Sequence, residues 1–337
     1  MRAIVLTAHG GPEVLRISRA PDPIAGPEDV LVEVRAASVN RADLAQRQGH
    51  YPQPGPAPAH EIPGLDFAGT VCAVGPRALR HRVGDRVFGL LAGGGYAEKV
   101  AVHERMAMPT PPALSDEQAA ALPEAYLTAF DALFAQAGLR PGEAVLVHAI
   151  GSGVGTAALQ LGRWAGATVY GTARSADKCR RAEAMGAAFA VDMAAPGADF
   201  AAAVSAANAG RGVDVVLDLV GAGYLARNLA ALAPRGRMVT LATVGGRHAE
   251  LDLGVVMAKR VRLTGSGLRG RGIEEKIALS QAFERQALPA FGPPDGAVPA
   301  RLWPVVDRVL PWTEAAEAHR VLEAGEAFGK VVLRVGG

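Results

Sequence analysis

The chain has 337 residues, half of them hydrophobic, and a formal net charge of +2. This length favours two domains, and the small net charge argues against binding of nucleic acid or anionic membranes through overall charge. No run of residues approaches the apolar length that crosses a bilayer, and the stretch 1–18 alternates like a strand, without the apolar core of a signal peptide. The two cysteines, Cys72 and Cys179, fit packed thiols better than a disulfide, so a cytoplasmic location is expected.

Residues 1 to about 120 are predicted to be β-rich, because short alternating runs are separated by Gly/Pro turns. These runs are Val30–Ala36, Asp66–Val74, Arg86–Leu91 and Ala97–Ala101. From residue 123 to residue 265, six apolar strands interleave with helices, which predicts a doubly wound parallel sheet. Its later strands are predicted at Phe189–Val191, Val213–Leu219, Arg237–Ala242 and Val261–Gly265, with a turn at Pro234–Gly236.

The tail, residues 266–337, is too short for a confident third domain. It is predicted to form helices at Ile273–Gln286 and Trp312–Ala324 and a strand at Gly329–Val335. We expect it to pack on the β-rich part. The predicted protein is therefore of the α/β class, with one domain built from residues 1–122 and 266–337 and a second from residues 123–265.

A dinucleotide site is predicted where the second domain begins. Residues 144–166 read as an apolar strand, a glycine-dense turn and a helix over Val154–Ala165. Glycines let the backbone turn tightly and approach a pyrophosphate, and the first amides of the helix then face the negative charge. The alternative is a scaffold of this kind with no cofactor. The predicted pyrophosphate contacts are Gly151, Ser152, Gly153, Val154 and Gly155.

The end of the next strand indicates which dinucleotide is bound. A site for NAD places an acid there, whereas residues 171–175 have none and offer Arg174 and Ser175, with Lys178 one helical turn later. Cations suit a 2′-phosphate, so the predicted cofactor is NADPH. A solvated helix start is the alternative for these cations, and Asp192 or Met193, after the third strand, weakens the case for strict selectivity.

Further cofactor contacts are expected at the carboxyl ends of the other parallel strands, where ligands of such sheets bind. The residues at these ends are Val220, Gly221, Leu241, Val244, Ser266, Gly267 and Leu268.

Several separated motifs, in this order and spacing, resemble the zinc-free, zeta-crystallin-like quinone oxidoreductases of the medium-chain dehydrogenase/reductase superfamily. Besides the glycine turn, they are NRADLAQRQGHYPQPG (40–55), IPGLDFAGTV (62–71), VGDRVFGL (83–90), LPEAYLTAFDAL (122–133) and FGKVVL (328–333). The NRAD…QRQG and PEA…LTAF runs are most similar to the tumour-protein-inducible type. The resemblance implies a GroES-like catalytic domain interrupted by a Rossmann domain, a homodimer, and reduction of quinones by NADPH.

The zinc-dependent branch of that superfamily can be recognised in a sequence by its metal ligands. Its Pro-Gly segment carries a ligand His, but here Pro63 and Gly64 are followed by Leu65 and Asp66. The upstream ligand Cys is missing, and two cysteines cannot form a four-Cys lobe. His60 has no second His nearby, so no metal ligand is predicted.

Hydride transfer to a quinone needs orientation and hydrogen-bond donors near the developing hydroquinone anion. The resemblance places Asn40, Tyr51 and Thr128 in the nicotinamide–substrate cleft between the domains, covered by the loop Pro52–His60, and places Lys330 at the cofactor. Asn40 fits equally well as the N-cap of a helix over Ala42–Gln48. Tyr51 could simply pack beside the loop, and Thr128 could bond its own backbone.

Two other functions stay open on the sequence. A reductase of alkenal or enone double bonds would use the same cofactor and fold. A non-catalytic NADPH-binding or RNA-binding zeta-crystallin-like protein is a different class, although near-neutral charge makes nucleic acid an unlikely partner. The strand Val261–Gly265 carries few charges and is expected at a sheet edge, where it would pair with a second subunit.

Overall fold

The computed structural model describes residues 1–51, 59–293 and 301–336. These residues form two compact units. The first unit takes its described residues from Met1–Leu127, Leu268–Pro293 and Trp303–Gly337, and the second consists of Thr128–Gly267 with residues 301 and 302. Most of the predicted loop Pro52–His60 lies outside the described residues. Among the described helices, none combines the length and apolarity that a membrane span requires.

The N-terminal part of the first unit is mostly strand. Its elements are β1 (Arg2–Leu6), β2 (Leu15–Arg19), β3 (Asp29–Val39), α1 (Arg41–Arg47), β4 (Asp66–Val74), β5 (Arg86–Leu90), β6 (Lys99–His103), β7 (Met108–Pro109), α2 (Asp116–Ala120) and α3 (Pro123–Phe130). The boundary between the units falls inside α3.

The second unit alternates strands and helices. Its elements are β8 (Ala144–Val147), α4 (Gly153–Trp164), β9 (Thr168–Ala173), α5 (Ala176–Ala184), β10 (Phe189–Asp192), α6 (Phe200–Ala207), β11 (Val213–Asp218), α7 (Leu225–Ala231), β12 (Leu232–Thr240), α8 (Leu253–Lys259) and β13 (Arg262–Gly265). The chain then adds α9 (Ile273–Gln286), β14 (Val306–Pro311), α10 (Ala315–Ala324) and β15 (Lys330–Arg334) to the first unit.

A seven-stranded sheet, in the order β14-β15-β3-β4-β5-β7, organises the first unit, with β6 also pairing to β3. Alternate residues of β3 point into the core, where Val30, Val32 and Val34 are buried, as the two-residue period of a strand requires. The tail packs on the β-rich part as expected, because β15 pairs antiparallel with β3. The unit is GroES-like, as predicted.

A six-stranded parallel sheet in the order β10-β9-β8-β11-β12-β13 forms the second unit. All four residues of β8 are buried, as expected of a central parallel strand between helical layers. The strand order reverses direction between β8 and β11, and ligands of such sheets bind at the carboxyl ends beside this switch point. The predicted Rossmann sheet is therefore confirmed, and β13 is an edge strand.

One predicted boundary in this sheet is wrong. The turn expected at Pro234–Gly236 lies inside β12 as a bulge: across it, β12 runs from Leu232 to Arg237 while its partner β11 runs only from Val213 to Val215. Within the bulge, Arg235 adopts a left-handed conformation with a φ of 65°. Proline and glycine mark a turn and a bulge alike, so composition alone could not separate them.

Candidate functional site

The glycine-dense turn after β8 is built differently from the sequence expectation. The left-handed residue is Ala149, with a φ of 49°, and its carbonyl accepts a hydrogen bond from the Ser152 amide at 2.8 Å. Ser152 caps α4 by accepting from the Gly155 amide at 3.0 Å. A Cβ on Gly155 would lie 2.3 Å from the Ala149 carbonyl oxygen, so glycine is needed there for close packing of the helix start.

The end of β9 carries the residues predicted to select the dinucleotide. Ser175 caps α5, and its hydroxyl accepts from the Lys178 amide at 3.3 Å. Arg174 is exposed, and its charge opposes the burial that raises the pKa of the Tyr224 phenol. Asp192 pairs in register with Ala173, but its Oδ1 accepts from the Ala194 amide at 3.0 Å. The acid is therefore hydrogen-bonded within its own turn.

Asp218 makes hydrogen bonds to the segments that follow β11 and β12. Asp218 is buried and accepts from the amides of Val220 and Gly221 at 2.8 and 2.9 Å, and burial raises its pKa. Its own carbonyl accepts from the Leu241 amide at 2.8 Å. Gly221 has a φ of 89°, a conformation that glycine adopts readily. Val244, farther along the second loop, is exposed.

The predicted contacts after β13 fall in both units. Ser266 and Gly267 belong to the second unit, and the Ser266 hydroxyl donates to the buried Asp131 carboxylate at 2.6 Å. Leu268 is the first residue of the segment that returns to the first unit. Thr128 is half-buried in the second unit, one turn before a π-helix over Asp131–Gln136. Such wide turns are common near functional sites.

His148 and His319 are buried in the interior of the second and the first unit, respectively. His148, at the end of β8, is fully buried between the hydroxyl of Thr172 at 2.9 Å and the amide oxygen of Asn228 at 2.6 Å. Burial lowers its pKa to about 4, so the ring is neutral at pH 7. His319, in the first unit, is also buried, and burial lowers its pKa to about 3.

A buried ionic cluster, which we call the Asp66 cluster, lies where β3, β4 and β15 meet. Asp66 Oδ2 accepts from the Asn40 side-chain amide at 2.8 Å, from the Lys330 ammonium at 3.2 Å and from the Ser38 hydroxyl. The other oxygen, Oδ1, accepts from the Glu124 amide at 2.7 Å. Lys330 also donates to Asn40 Oδ1. Each of the four side chains is at most 6% exposed.

A second chain of polar groups adjoins this cluster at the start of α1. Asn40 is the N-cap residue, and its amide donates to Asp43 Oδ2 at 2.8 Å. Asp43 also accepts from the Gly64 amide at 3.1 Å and the Tyr96 hydroxyl at 3.2 Å. Tyr96 lies 3.3 Å from His319 Nε2. Burial raises the pKa of Asp43 to about 6. The N-cap prediction for Asn40 is thus confirmed, while its side chain serves the Asp66 cluster.

Tyr51 lies against a buried arginine. The Arg269 guanidinium carbon is 4.8 Å from the centre of the Tyr51 ring, and Nη1 donates to the Tyr51 carbonyl at 2.8 Å. Tyr51 as a residue is 37% exposed. Burial raises the pKa of the phenol, the charge of Arg269 opposes the rise, and Glu124 adds to it.

The structure brings Asn40 and Lys330 into direct contact, whereas Thr128 belongs to the other unit. The sequence did not predict that Arg269, Ser38 and Asp66 belong to the candidate site. A signal existed for Asp66, since it follows the Pro-Gly-Leu segment that was compared with the zinc branch. Nothing local marked Arg269, because the partners of its guanidinium are between 177 and 223 positions away.

The donors around Asp66 do not fit a zinc ion. Zinc prefers thiolate, imidazole and carboxylate ligands, but Asp66 is joined by a hydroxyl, an amide and an ammonium. The ammonium of Lys330 already supplies the positive charge. Across the described ranges, no three His, Cys, Asp or Glu side chains are grouped to hold a metal ion.

Two domain models match this chain. The alcohol dehydrogenase GroES-like domain covers residues 26–112, and the zinc-binding dehydrogenase domain covers residues 153–284. A crystal structure of an NAD-dependent alcohol dehydrogenase is 34% identical, with a TM-score of 0.84, and the match covers 100% of both chains. The chain belongs to the medium-chain dehydrogenase/reductase superfamily. It is therefore a member of an oxidoreductase family.

Other members of this superfamily show what its fold accommodates. A mycobacterial protein complexed with NADPH is 31% identical, over 99% of this chain and 100% of that one, with a TM-score of 0.83. A Pseudomonas syringae quinone oxidoreductase is 28% identical over 99% of both chains, with a TM-score of 0.84. The synaptic vesicle membrane protein VAT-1 homolog of Rattus norvegicus is 38% identical over 230 residues, which are 67% of this chain and 55% of that protein.

Proposed function

We propose that this superfamily member is a zinc-independent, NADPH-dependent quinone reductase of the zeta-crystallin-like branch. The observation that carries the proposal is the Asp66 cluster, where the Lys330 ammonium pairs with the buried carboxylate and the other groups are a hydroxyl and an amide, which do not suit zinc. A quinone is electrophilic without activation by a Lewis acid, whereas an alcohol or a simple ketone benefits from one. The similarity to a quinone oxidoreductase supports this choice of acceptor.

NADPH is the proposed cofactor because cations at the end of β9 suit a 2′-phosphate. Arg174 is exposed there, and Ser175 and Lys178 lie at the N-terminus of α5, which itself favours an anion. Asp192, the acid that could disfavour the phosphate, is hydrogen-bonded to its own turn. The similar protein that was solved with NADPH supports the assignment.

The chemistry supplied by bound NADPH is donation of a hydride to the quinone. The chain's residues position the acceptor and stabilise the oxygen that becomes negative. Tyr51 is partly exposed and its hydroxyl is a hydrogen-bond donor, so it is the proposed donor to that oxygen. Asn40 is the proposed positioning residue, because its amide is committed to Asp66 and its oxygen to Lys330. The one proton that the hydroquinone anion needs comes from solvent.

Steady-state rates with NADPH and ortho-quinones, para-quinones and enones test the acceptor. We expect turnover of quinones, undiminished by exhaustive chelation, and a loss of about ten-fold to a thousand-fold in kcat/KM for Tyr51→Phe. Turnover of enones alone would replace the proposed acceptor. A tightly held zinc in each subunit would defeat the proposed branch.

Binding of the two dinucleotides tests the cofactor separately. NADPH should bind about ten-fold to a hundred-fold more tightly than NADH, because charge-assisted contacts to the phosphate are lost with NADH. Lys178→Ala should remove much of this difference and leave NADH binding nearly unchanged. Arg180→Ala is the matched control, since Arg180 lies on the same helix and pairs with Asp177 at 3.0 Å. Equal affinities in the unaltered protein would contradict the assignment.

We further propose a cytoplasmic homodimer that pairs through β13. All four residues of this edge strand are exposed in the single chain, and Arg262 is the one charged residue among them, fewer than usually protect an edge. Pairing of two copies about a two-fold axis would continue the sheet.

A further inference from the structure

Arg269 is a buried cation that none of the chemistry above uses. Its residue is 5% exposed, and it is the second residue of the segment that returns to the first unit. Burying an arginine is costly unless its donors are satisfied, and burial lowers the pKa of this one. Such a residue is retained where its planar geometry has a use.

The guanidinium joins three separate stretches of the first unit. Nε donates to the Ala92 carbonyl at 2.8 Å, Nη1 to the Tyr51 carbonyl at 2.8 Å and Nη2 to the Gln46 side-chain oxygen at 2.7 Å. The Gln46 amide nitrogen donates to Glu61 at 3.0 Å, which turns the oxygen toward Arg269. The orientation of the guanidinium plane is therefore fixed by partners on several sides.

The same plane supports the ring of Tyr51. With the guanidinium carbon 4.8 Å from the ring centre, the contact is within the range of a cation–π interaction. Arg269 thus holds both the backbone and the ring of Tyr51. A lysine could keep the charge, but it has neither the flat face nor the fork of donors that make these contacts together.

We propose that Arg269 is a positioning residue for quinone reduction, which acts by holding the Tyr51 ring where its hydroxyl meets the acceptor oxygen. This inference rests on the proposed function. It assigns a positioning role to a residue outside the motifs that carry the family resemblance. Arg269 touches neither reacting group in this arrangement, so its effect on rate must pass through Tyr51.

A double-mutant cycle tests that route. Arg269→Lys should lower kcat/KM for a quinone by about ten-fold to a hundred-fold, the cost of small misplacement of a reacting partner. In a Tyr51→Leu background, the same change should cost less than about three-fold, because the ring to be positioned is gone. NADPH affinity should not change in either background. Arg271→Lys, in the same segment and paired with Glu275, is the control. Equal losses in both backgrounds would overturn the proposal.

An NMR titration tests the contact without using activity. The phenol carbons are labelled with ¹³C, and the Tyr51 signal is assigned by its loss in Tyr51→Phe. The pKa of Tyr51 should rise in Arg269→Met, because the opposing cation is removed while burial and Glu124 still act in the raising direction. An unchanged titration would overturn the proposal, even if Arg269→Lys proved slow. If the protein reduces no quinone, the proposed function fails, and this titration alone decides whether Arg269 controls Tyr51.

Discussion

Replacing Lys330 with methionine removes the cation from the Asp66 cluster and leaves a buried carboxylate. Asp66 keeps its bonds from Ser38, Asn40 and the Glu124 amide, but no charge balances its own. Removing one partner of a buried ion pair costs about 3–5 kcal/mol. We therefore expect Lys330→Met to lower the free energy of unfolding by about 3–5 kcal/mol.

Urea unfolding, followed by circular dichroism, measures this loss. Lys99→Met is the matched control, because Lys99 forms an exposed pair with Asp22 and its removal should leave stability unchanged within error. Adding Asp66→Asn to Lys330→Met should recover part of the loss, since no unpaired carboxylate remains. A loss below about 1 kcal/mol, or one that Asp66→Asn does not reduce, would refute the reasoning.

Three further predictions concern the second unit. Gly155→Ala should lower the free energy of unfolding by about 1–3 kcal/mol and weaken NADPH binding, because the added Cβ would lie 2.3 Å from a carbonyl oxygen. Gly270→Ala, where the space around the Cβ is open, should have neither effect. His148 should contribute about 3 kcal/mol to the free energy of unfolding, and this contribution is lost as the pH falls from about 6.5 to about 4. The reason is that the ring binds a proton at a higher pH in the unfolded chain than in the folded interior. If His148→Phe left the slope of unfolding free energy against pH unchanged, this prediction would be contradicted. Leu263→Lys should convert the proposed dimer into a monomer in light scattering at micromolar concentration, while Leu79→Lys, an exposed leucine of the first unit, should not; a monomeric parent protein would exclude the dimer.

Elements with a strong local pattern could be predicted closely from the sequence. The strand Asp66–Val74 and the helix Ile273–Gln286 have the predicted bounds, because regular periodicity and clear end signals define them. The bulge near Arg235 could not be predicted, since it depends on how β12 is paired with β11. Local patterns therefore gave the elements, while irregularities of pairing depend on the assembled sheet.

The candidate site divides in the same way. The capping by Ser152 and Ser175 can be predicted from the sequence, because each side chain accepts a hydrogen bond from the amide three positions later. Asp66 and Lys330 are 264 positions apart, and Tyr51 and Arg269 are 218 apart. No period or spacing in the sequence connects such residues. The terminal motif that contains Lys330 therefore could not reveal its buried contact with Asp66. The contacts of these residues required the folded first unit.

The interior position of β15 has a consequence for the order in which the protein is completed during synthesis. The C-terminal half of β3 pairs with β15, whose residues leave the ribosome nearly 300 positions after it. By contrast, residues 128–267 are translated without interruption and include every strand of the parallel sheet. Domains fold as units during translation, so the parallel sheet closes while β3 still exposes unpaired amides and carbonyls. A nascent chain that stops before residue 330 thus has a complete parallel sheet in the second unit and an open edge on β3 in the first, and such an unpaired edge can pair with another chain.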